Sequence, residues 1–411
     1  MNKTKLCICY LPGMDFRRIN SHTCPNIAKF FDTFPSVRIN TFPNTELVPT
    51  LLTGVYPHKH GIWQVKLKGK LANSTNILQR IGDKVPDMFV TTFQCFISLF
   101  SHSHEDLAAI PNKRLRRFEI KRFKYARRKG TSTALTQIGD IASIFGIVGE
   151  SRSKYVFNKY SDNLDKILNT SCTGEYRMEM LELYYLDIIQ HWNLSNTNKI
   201  NRLYEMTDNF INEVYKKSRD FNITVILLAD HGMEVVHGSI DIKNRLKKLN
   251  LSESEYDFFI EVPMARFWFH TDKARRSIVN MLSSIQNGQV LTYQDMHRYN
   301  IKFDGTDYGE IYFIANPGYI IFPNDFYHPF ANIYLGLTDW QQRSRIFNPK
   351  HRGYHGYLPE HPSEKGFMLV LDDKYKVNKD EVNIIDVAPS ILEILGYEKA
   401  DLMPGHSAFR V

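Results

Sequence analysis

Short apolar runs alternate with longer segments of helical periodicity along this chain. The short runs are rich in β-branched and aromatic residues: KLCICYL, SVRIN, MFVTTF, ITVILLA, ARFWFH, IYFIAN and FMLVL. Helical periodicity marks two longer segments, EYRMEMLELYYLDIIQHW (175–192) and KINRLYEMTDNFINEVYKKS (199–218). ITVILLA is continuously apolar, as expected for a strand that is buried on both faces. The pattern therefore predicts an α/β fold with a mostly parallel central sheet and helices on both of its faces.

A more polar region interrupts this alternation between about Ile240 and Arg345, and it contains the stretch KNRLKKLNLSESEYD. Neither internal repeats nor low-complexity tracts occur. We therefore expect a single catalytic domain over residues 1–411, with residues 240–345 inserted in it as a cap or substrate region.

Composition narrows the class of protein. The 411 residues are 43% hydrophobic and 23% charged, which is ordinary for a globular protein. No apolar run reaches about 18 residues, so no transmembrane helix is expected. The N-terminal apolar run is too short for a signal-peptide core and is interpreted as the first strand. The five cysteines are an odd number without a CxxC pair, which favours a reducing, cytoplasmic location over disulfides or a thiolate zinc site.

The formal net charge of +8 is concentrated in KRLRRFEIKRFKYARRKG, from Lys113 to Gly130. One interpretation is a solvated helix face, and the other is a basic collar that attracts an anionic substrate, a polyanion or an acidic membrane surface. Interleaved aromatic residues could stack on bases, but nothing else resembles a nucleic-acid-binding module, so the sequence disfavours a nucleic-acid partner.

Candidate metal ligands occur in three places. Asp230 and His231 follow the continuous apolar run. In α/β folds, ligand-binding and catalytic residues usually lie at the carboxyl ends of the strands. Alone, this pair is better explained by Asp230 capping a helix. Asp187 and His191 are four residues apart and would share one helix face. The loop HRGYHGYLPEHPSEKG could add one imidazole, best from His355.

Several blocks in order resemble the alkaline phosphatase superfamily, most closely its nucleotide pyrophosphatase/phosphodiesterase branch. NTELVPTLLTGVYPHKHGIW resembles the nucleophile block, LDIIQH and LLADHGM resemble two ligand pairs, and GYHGY resembles the late ligand. VNIIDVAPSILEILGYEKADLMPGHS resembles the closing block, so the likeness spans nearly the whole chain.

The resemblance implies a two-metal site for phosphoryl transfer with a threonine or serine nucleophile at a helix start. One divalent ion, Zn²⁺ or Mn²⁺, would be held by Asp187, His191 and His355. The other would be held by Asp230 and His231. The implied substrate carries an anionic phosphate, as a small molecule or linked to a glycan or lipid.

The sequence departs from the family pattern twice. An aspartate that usually completes the second metal site is replaced by Pro12, and Asp15 is the candidate substitute. The family spacing of nine residues before Thr53 falls on Asn44. Thr45 is our preferred nucleophile, with Asn44 as a group that orients phosphate oxygens, and Thr41 in TFPN remains a third candidate.

The remaining alternatives concern function. A phosphomonoesterase or sulfatase could share the fold, although the sulfatase Cys/Ser-x-Pro-x-Arg signature is absent. A weakened or non-catalytic member that binds an anionic ligand would explain both departures. Other histidines are expected in turns and loops or as rivals of His355: His58, His60, His237, His351 and His361. The sequence sets neither the substrate, nor the metal, nor the oligomeric state.

Overall fold

The computed structural model describes residues 4–64, 66–68, 89, 92, 118–120 and 132–411. The predicted strand MFVTTF lies almost wholly outside these residues, and the two members that are described, Phe89 and Thr92, are helical. The basic segment from Lys113 to Gly130 also lies outside them, except for a three-residue strand, Phe118–Ile120, that pairs with Lys66–Lys68.

A central sheet of seven strands organises the described part of the chain. Its strands are β1 (Lys5–Tyr10), β2 (Ser36–Asn40), β3 (Ser153–Asn158), β4 (Met178–Leu183), β5 (Ile223–Ala229), β10 (Gly366–Val370) and β11 (Glu381–Asn383). The spatial order is β11-β2-β10-β5-β1-β4-β3. All pairings are parallel except those of β10, which is antiparallel to β2 and β5. The prediction of a mostly parallel sheet is confirmed.

The helices of the described chain are α1 (Pro25–Thr33), α2 (Leu47–Thr53), α3 (Pro57–His60), α4 (Ile144–Val148), α5 (Leu164–Thr170), α6 (Tyr185–Asn193), α7 (Thr197–Asp220), α8 (Ile242–Lys247), α9 (Asp272–Ser283), α10 (Tyr293–His297), α11 (Pro329–Thr338) and α12 (Val387–Leu395). Among the residues that the structure describes, none of these helices is both long and apolar enough to cross a membrane.

Both faces of the central sheet are buried, which explains why its strands are continuously apolar. Along β1, Leu6, Ile8 and Tyr10 pack in one hydrophobic cluster. The intervening Cys7 and Cys9 pack in a second cluster on the opposite face. Successive side chains of a strand point to opposite faces, so each face needs its own apolar set. Helices α2 and α12 cover the first face, and α1 and α7 cover the second.

The helix predicted over residues 175–192 is wrong in its first half. Residues Met178–Leu183 form strand β4, which is buried throughout, and a helix begins only at Tyr185. Glu179 and Glu182 made this segment look like a helix with a polar face. Both have partners from the neighbouring strand: Lys154 forms an ion pair with Glu179, and the Tyr155 hydroxyl donates to Glu182.

A second sheet, antiparallel and four-stranded, lies within the region predicted to be inserted. It consists of β6 (Tyr256–Ile260), β7 (Met264–Phe269), β8 (Gly288–Thr292) and β9 (Ile311–Ala315), in the order β6-β7-β9-β8. Residues such as Ile260, Phe267 and Phe313 form a hydrophobic cluster separate from the two around the main sheet. The boundaries 240–345 for an inserted cap remain a prediction.

Candidate metal centre

The predicted ligands meet at one edge of the central sheet because of its topology. Strands β1, β4 and β5 are parallel neighbours, so their carboxyl ends lie side by side. Helix α6 follows β4 with one residue between them and carries Asp187 and His191, while Asp230 and His231 directly follow β5. Since β10 runs antiparallel, its amino end lies at the same edge and the loop with His355 leads into it.

Asp187, His191 and His355 form a compact group of donors. Asp187 Oδ1 lies 3.3 Å from His191 Nε2 and 3.4 Å from His355 Nε2. Their three ligand atoms all lie within 4.8 Å of one another. The four-residue spacing in α6 therefore does place the aspartate and histidine on one face, as the sequence predicts.

The protonation pattern of this group suits a cation. The Nδ1 of His191 lies 3.0 Å from the carbonyl oxygen of Gly353, and in the neutral ring an N–H that donates there leaves Nε2 as the acceptor. Asp187 Oδ1 is buried and receives no hydrogen bond from the described residues. Acceptors that converge without a proton between them repel one another, and a bound cation removes that cost. The three residues thus fit a divalent ion.

The charges in this group shift two pKa values. Burial alone would raise the pKa of the Asp187 carboxyl, but the imidazoles of His191 and His355 hold it well below its ordinary value. Burial, together with the neighbouring His231, lowers the pKa of His355 to about 3. A carboxylate and a neutral imidazole are the forms that bind metal ions.

Asp230 and His231 lie next to this group but are engaged differently. The His231 ring stacks on His355 with centroids 3.6 Å apart. Its Nε2 is 3.5 Å from Asp230 Oδ2, and its Nδ1 is 2.8 Å from the carbonyl oxygen of Gly232. The Tyr10 hydroxyl donates to Asp230 Oδ2 at 2.6 Å. These two residues do not belong to a group of three or more metal donors within the described chain.

Asp15 lies beside the Asp-His-Gly turn, but its carboxylate is bound by Arg17. A Cβ atom added to Gly232 would lie 2.7 Å from Asp15 Cγ, so the glycine allows the close approach. The Arg17 guanidinium contacts Asp15 Oδ2 at 2.6 Å. Asp15 as the replacement for the ligand missing at Pro12 stays a prediction, and in this structure its carboxylate is paired with Arg17.

The nucleophile block differs in detail from its prediction. Helix α2 begins at Leu47 with Glu46 as its N-cap, two residues after the start expected at Thr45. The Thr45 hydroxyl donates to the Pro43 carbonyl oxygen at 3.0 Å and accepts a hydrogen bond from Trp63 Nε1 at 3.0 Å.

Asn44 contacts the loop that carries His355, because its backbone N–H donates to the Gly356 carbonyl oxygen at 3.1 Å. Its Oδ1 would be 3.3 Å from a Cβ atom added to Gly356, the residue after His355. Its amide nitrogen donates to Glu261 Oε2 at 2.8 Å. Thr41 is buried and donates to the carbonyl oxygen of Glu364 at 2.7 Å, a structural contact.

The other histidines occupy different surroundings. His58 stacks on Tyr56, His237 contacts the Tyr319 ring and His351 stacks on Trp192. His361 pairs with Ser363, and buried His60 lies 2.9 Å from the Thr50 hydroxyl. His355 is the member of its loop that reaches Asp187.

Sequence reasoning missed four residues at this edge: Tyr10, Arg17, Glu234 and Glu261. The first three surround Asp230 and Asp15, and Glu261 binds Asn44. It also did not anticipate that Cys7 and Cys172 lie with Glu179 in a second, fully buried group of possible metal donors. In that group Glu179 is already paired with Lys154 at 2.9 Å.

Comparison with solved structures shows which fold this is. Murine ectonucleotide pyrophosphatase/phosphodiesterase 5, as an inactive T72A variant in complex with AMP, matches with a TM-score of 0.61 and 14% sequence identity over 98% of this chain and 97% of that chain. The human protein matches with a TM-score of 0.60 and the same identity and coverage. Neither a protein-family model nor a curated protein sequence matches this chain. The chain has the same fold as these ectonucleotide pyrophosphatase/phosphodiesterase structures.

Proposed function

We propose, from the fold that the chain shares with the nucleotide pyrophosphatase/phosphodiesterases, that it is a metal-dependent hydrolase or transferase of phosphodiester or pyrophosphate bonds. The observation that carries this proposal is the convergence of one ligand atom each from Asp187, His191 and His355 within 4.8 Å of one another. These types of donor bind Zn²⁺ or Mn²⁺, and the geometry favours neither ion over the other.

Three residues would hold the ion, and a fourth orients one of them. The carbonyl oxygen of Gly353 accepts from His191 Nδ1, which directs Nε2 toward Asp187. Such an outer hydrogen bond fixes the ring and its tautomer. A divalent ion bound there would polarise a phosphoryl oxygen and stabilise the negative charge that develops on it.

Thr45 is the proposed nucleophile. Trp63 Nε1 donates to the Thr45 hydroxyl oxygen, and the hydroxyl donates its own proton to the Pro43 carbonyl oxygen. The hydroxyl must therefore rotate so that a lone pair of Oγ1 faces phosphorus before attack. The Thr45 Oγ1–P bond would form as the ester P–O bond breaks, with the hydroxyl proton passing to the leaving oxygen. Water would then cleave the Oγ1–P bond, its oxygen staying on phosphorus and one proton returning to Oγ1. Asn44, which is held by Glu261 beside the His355 loop, would orient phosphate oxygens.

The same site supports an anionic, phosphate-containing substrate. An ion bound by one carboxylate and two neutral imidazoles keeps a net positive charge and attracts an anionic group. Murine ectonucleotide pyrophosphatase/phosphodiesterase 5 in its inactive form is in complex with AMP, so a nucleotide-like phosphate is the first ligand to test. A phosphate linked to a glycan or lipid has the same reactive group.

Two observations favour a second candidate, a non-catalytic protein that binds an anionic ligand. Pro12 cannot ligate a metal through its side chain, and the hydroxyls of both Thr41 and Thr45 already donate to backbone carbonyl oxygens. Such a protein would bind AMP in the presence of Zn²⁺ without cleaving phosphodiesters.

Hydrolysis of bis(p-nitrophenyl) phosphate tests the proposal. We expect EDTA to abolish hydrolysis and Zn²⁺ or Mn²⁺ to restore it, and we expect Asp187→Asn to lower the rate at least ~100-fold, or about 3 kcal/mol of activation free energy. We also expect Thr45→Val to lose activity. Thr41→Val serves as its matched control, because the Thr41 hydroxyl likewise donates to a backbone carbonyl oxygen.

The outcomes separate the candidates. Loss of activity in Thr45→Val with Thr41→Val unaffected supports the assigned nucleophile. AMP binding by calorimetry with no turnover of any ester supports the non-catalytic candidate. Faster hydrolysis of p-nitrophenyl phosphate or sulfate than of the diester would replace the phosphodiesterase assignment by a monoesterase or sulfatase.

We also propose a cytoplasmic location. The four cysteines of the described chain, Cys7, Cys9, Cys24 and Cys172, are all buried free thiols, which supports a reducing compartment. Cell fractionation with an untagged protein would test this, and recovery in a secreted or membrane fraction would contradict it.

A further inference from the structure

A second cation beside Asp187, His191 and His355 would need its own set of donors. Structural and catalytic zinc sites use at least three protein ligands. Asp230 and His231 supply two, and the position that usually supplies an aspartate after the first strand holds Pro12. Asp15, whose carboxylate packs against Gly232 of the Asp-His-Gly turn, is the candidate third ligand.

The Asp230 carboxylate already has protein donors on both oxygens. Oδ2 accepts from the Tyr10 hydroxyl at 2.6 Å. Oδ1 accepts from the backbone N–H of His231 at 3.1 Å and from that of Gly13 at 3.4 Å. Tyr10 is 1% exposed and Asp230 5% exposed, so these bonds are protected from water. A hydrogen bond from a neutral donor to a buried carboxylate is among the stronger kinds in proteins.

The Asp15 carboxylate is occupied by a permanent cation. The Arg17 guanidinium approaches Oδ2 at 2.6 Å through Nη2 and Oδ1 at 3.0 Å through Nε. The same guanidinium donates to the Met233 carbonyl oxygen at 3.1 Å and to Glu234 Oε2 at 3.0 Å. It thereby bridges the turn after β1 and the residues that follow Asp230 and His231. An arginine stays charged at every pH at which the protein is folded.

These contacts of Tyr10 and Arg17 together supply the hydrogen bonding, positive charge and cross-link that a second metal ion would otherwise provide. A bound cation at this edge would neutralise Asp230 and Asp15 and tie the ends of β1 and β5 together. Here the Tyr10 hydroxyl satisfies Asp230, and the Arg17 guanidinium neutralises Asp15 and links the same two strand ends.

We propose that Tyr10 and Arg17 replace the second metal ion of the fold, so that the site binds one divalent cation per chain, at Asp187, His191 and His355. The inference rests on the proposed function for the existence of the first ion. It differs from the two-ion site implied by the family resemblance, and it assigns Asp230 a structural role.

Elemental analysis of the full chain tests this proposal with zinc as the probe. Wild type, Asp187→Asn and Asp230→Asn are each equilibrated with excess Zn²⁺ and dialysed against the same buffer. We expect wild type and Asp230→Asn to retain equal amounts of zinc, and Asp187→Asn to retain one ion per chain fewer. Subtracting the value of an Asp187→Asn/His231→Ala double variant, which lacks ligands of both sites, removes zinc bound by surface histidines and thiols.

Retention of two ions by wild type above that background, or the loss of an ion in Asp230→Asn, overturns the proposal. The wild-type count decides by itself if Asp230→Asn does not fold. Phosphodiester hydrolysis on the same samples separates the two claims. One ion without hydrolysis overturns only the proposed function, and two ions with hydrolysis overturn only this inference. Zinc retention equal in wild type and Asp187→Asn overturns both.

Discussion

Replacing Tyr10 with phenylalanine removes one hydroxyl and leaves the ring in its hydrophobic cluster. The lost hydrogen bond, 2.6 Å long, joins two buried side chains, and its acceptor is the Asp230 carboxylate. Hydrogen bonds to charged groups contribute about 1.5–3 kcal/mol to stability. The variant should lose this contribution, because water cannot reach the buried carboxylate to replace the missing donor. We therefore expect the free energy of unfolding to fall by about 2 kcal/mol in Tyr10→Phe.

Denaturant unfolding of the metal-free protein measures this change, with Tyr312→Phe as the matched control. The Tyr312 hydroxyl is also buried but donates to a neutral acceptor, the Gly309 carbonyl oxygen, at 2.8 Å. Its loss should cost about 1 kcal/mol. A Tyr10→Phe variant that is as stable as wild type, or less affected than Tyr312→Phe, would refute the idea that the hydroxyl satisfies Asp230.

Three further predictions concern other parts of the site and its surroundings. Zinc at 100 times its dissociation constant should stabilise wild type by about 2.7 kcal/mol, and His191→Ala should abolish this gain; an equal gain in both proteins would contradict the assigned ligands. Burial lowers the pKa of His60 to about 3 from the ordinary 6.5, so its neutral form stabilises the fold above pH 6.5 and this contribution is lost as pH falls toward 3. His60→Gln should therefore remove up to about 1.4 kcal/mol per pH unit from the acid dependence of unfolding, and identical slopes for the two proteins would contradict this. In Gly232→Ala the new Cβ would lie 2.7 Å from Asp15 Cγ, so the unfolding free energy should fall by about 1–3 kcal/mol, whereas unchanged stability would show that Asp15 does not pack there.

Sequence reasoning succeeded where local patterns determine the structure. The continuous apolar run of β5 predicted a central buried strand, and the four-residue spacing of Asp187 and His191 predicted a shared helix face. Both follow from the geometry of one element. His355 followed from a motif, and its loop reaches Asp187 because β10 enters the sheet antiparallel to β5.

Sequence reasoning failed where the structure depends on contacts between residues far apart in the chain. The glutamates of β4 looked like a polar helix face, since their partners Lys154 and Tyr155 come from the neighbouring strand β3. The engagement of Asp230 by Tyr10 depends on the pairing of β1 with β5, which the sequence does not display. The contact of Arg17 with Asp15 could have been predicted from the sequence, because an arginine two residues after an aspartate can pair with it within one turn.

Anomalous diffraction at the zinc edge, from crystals grown with Zn²⁺, tests the central claim most directly. The account predicts one strong peak at this edge of the sheet, between Asp187 Oδ1 and the Nε2 atoms of His191 and His355. A second peak of similar height beside Asp230 and His231, or no peak at the first position, would contradict it.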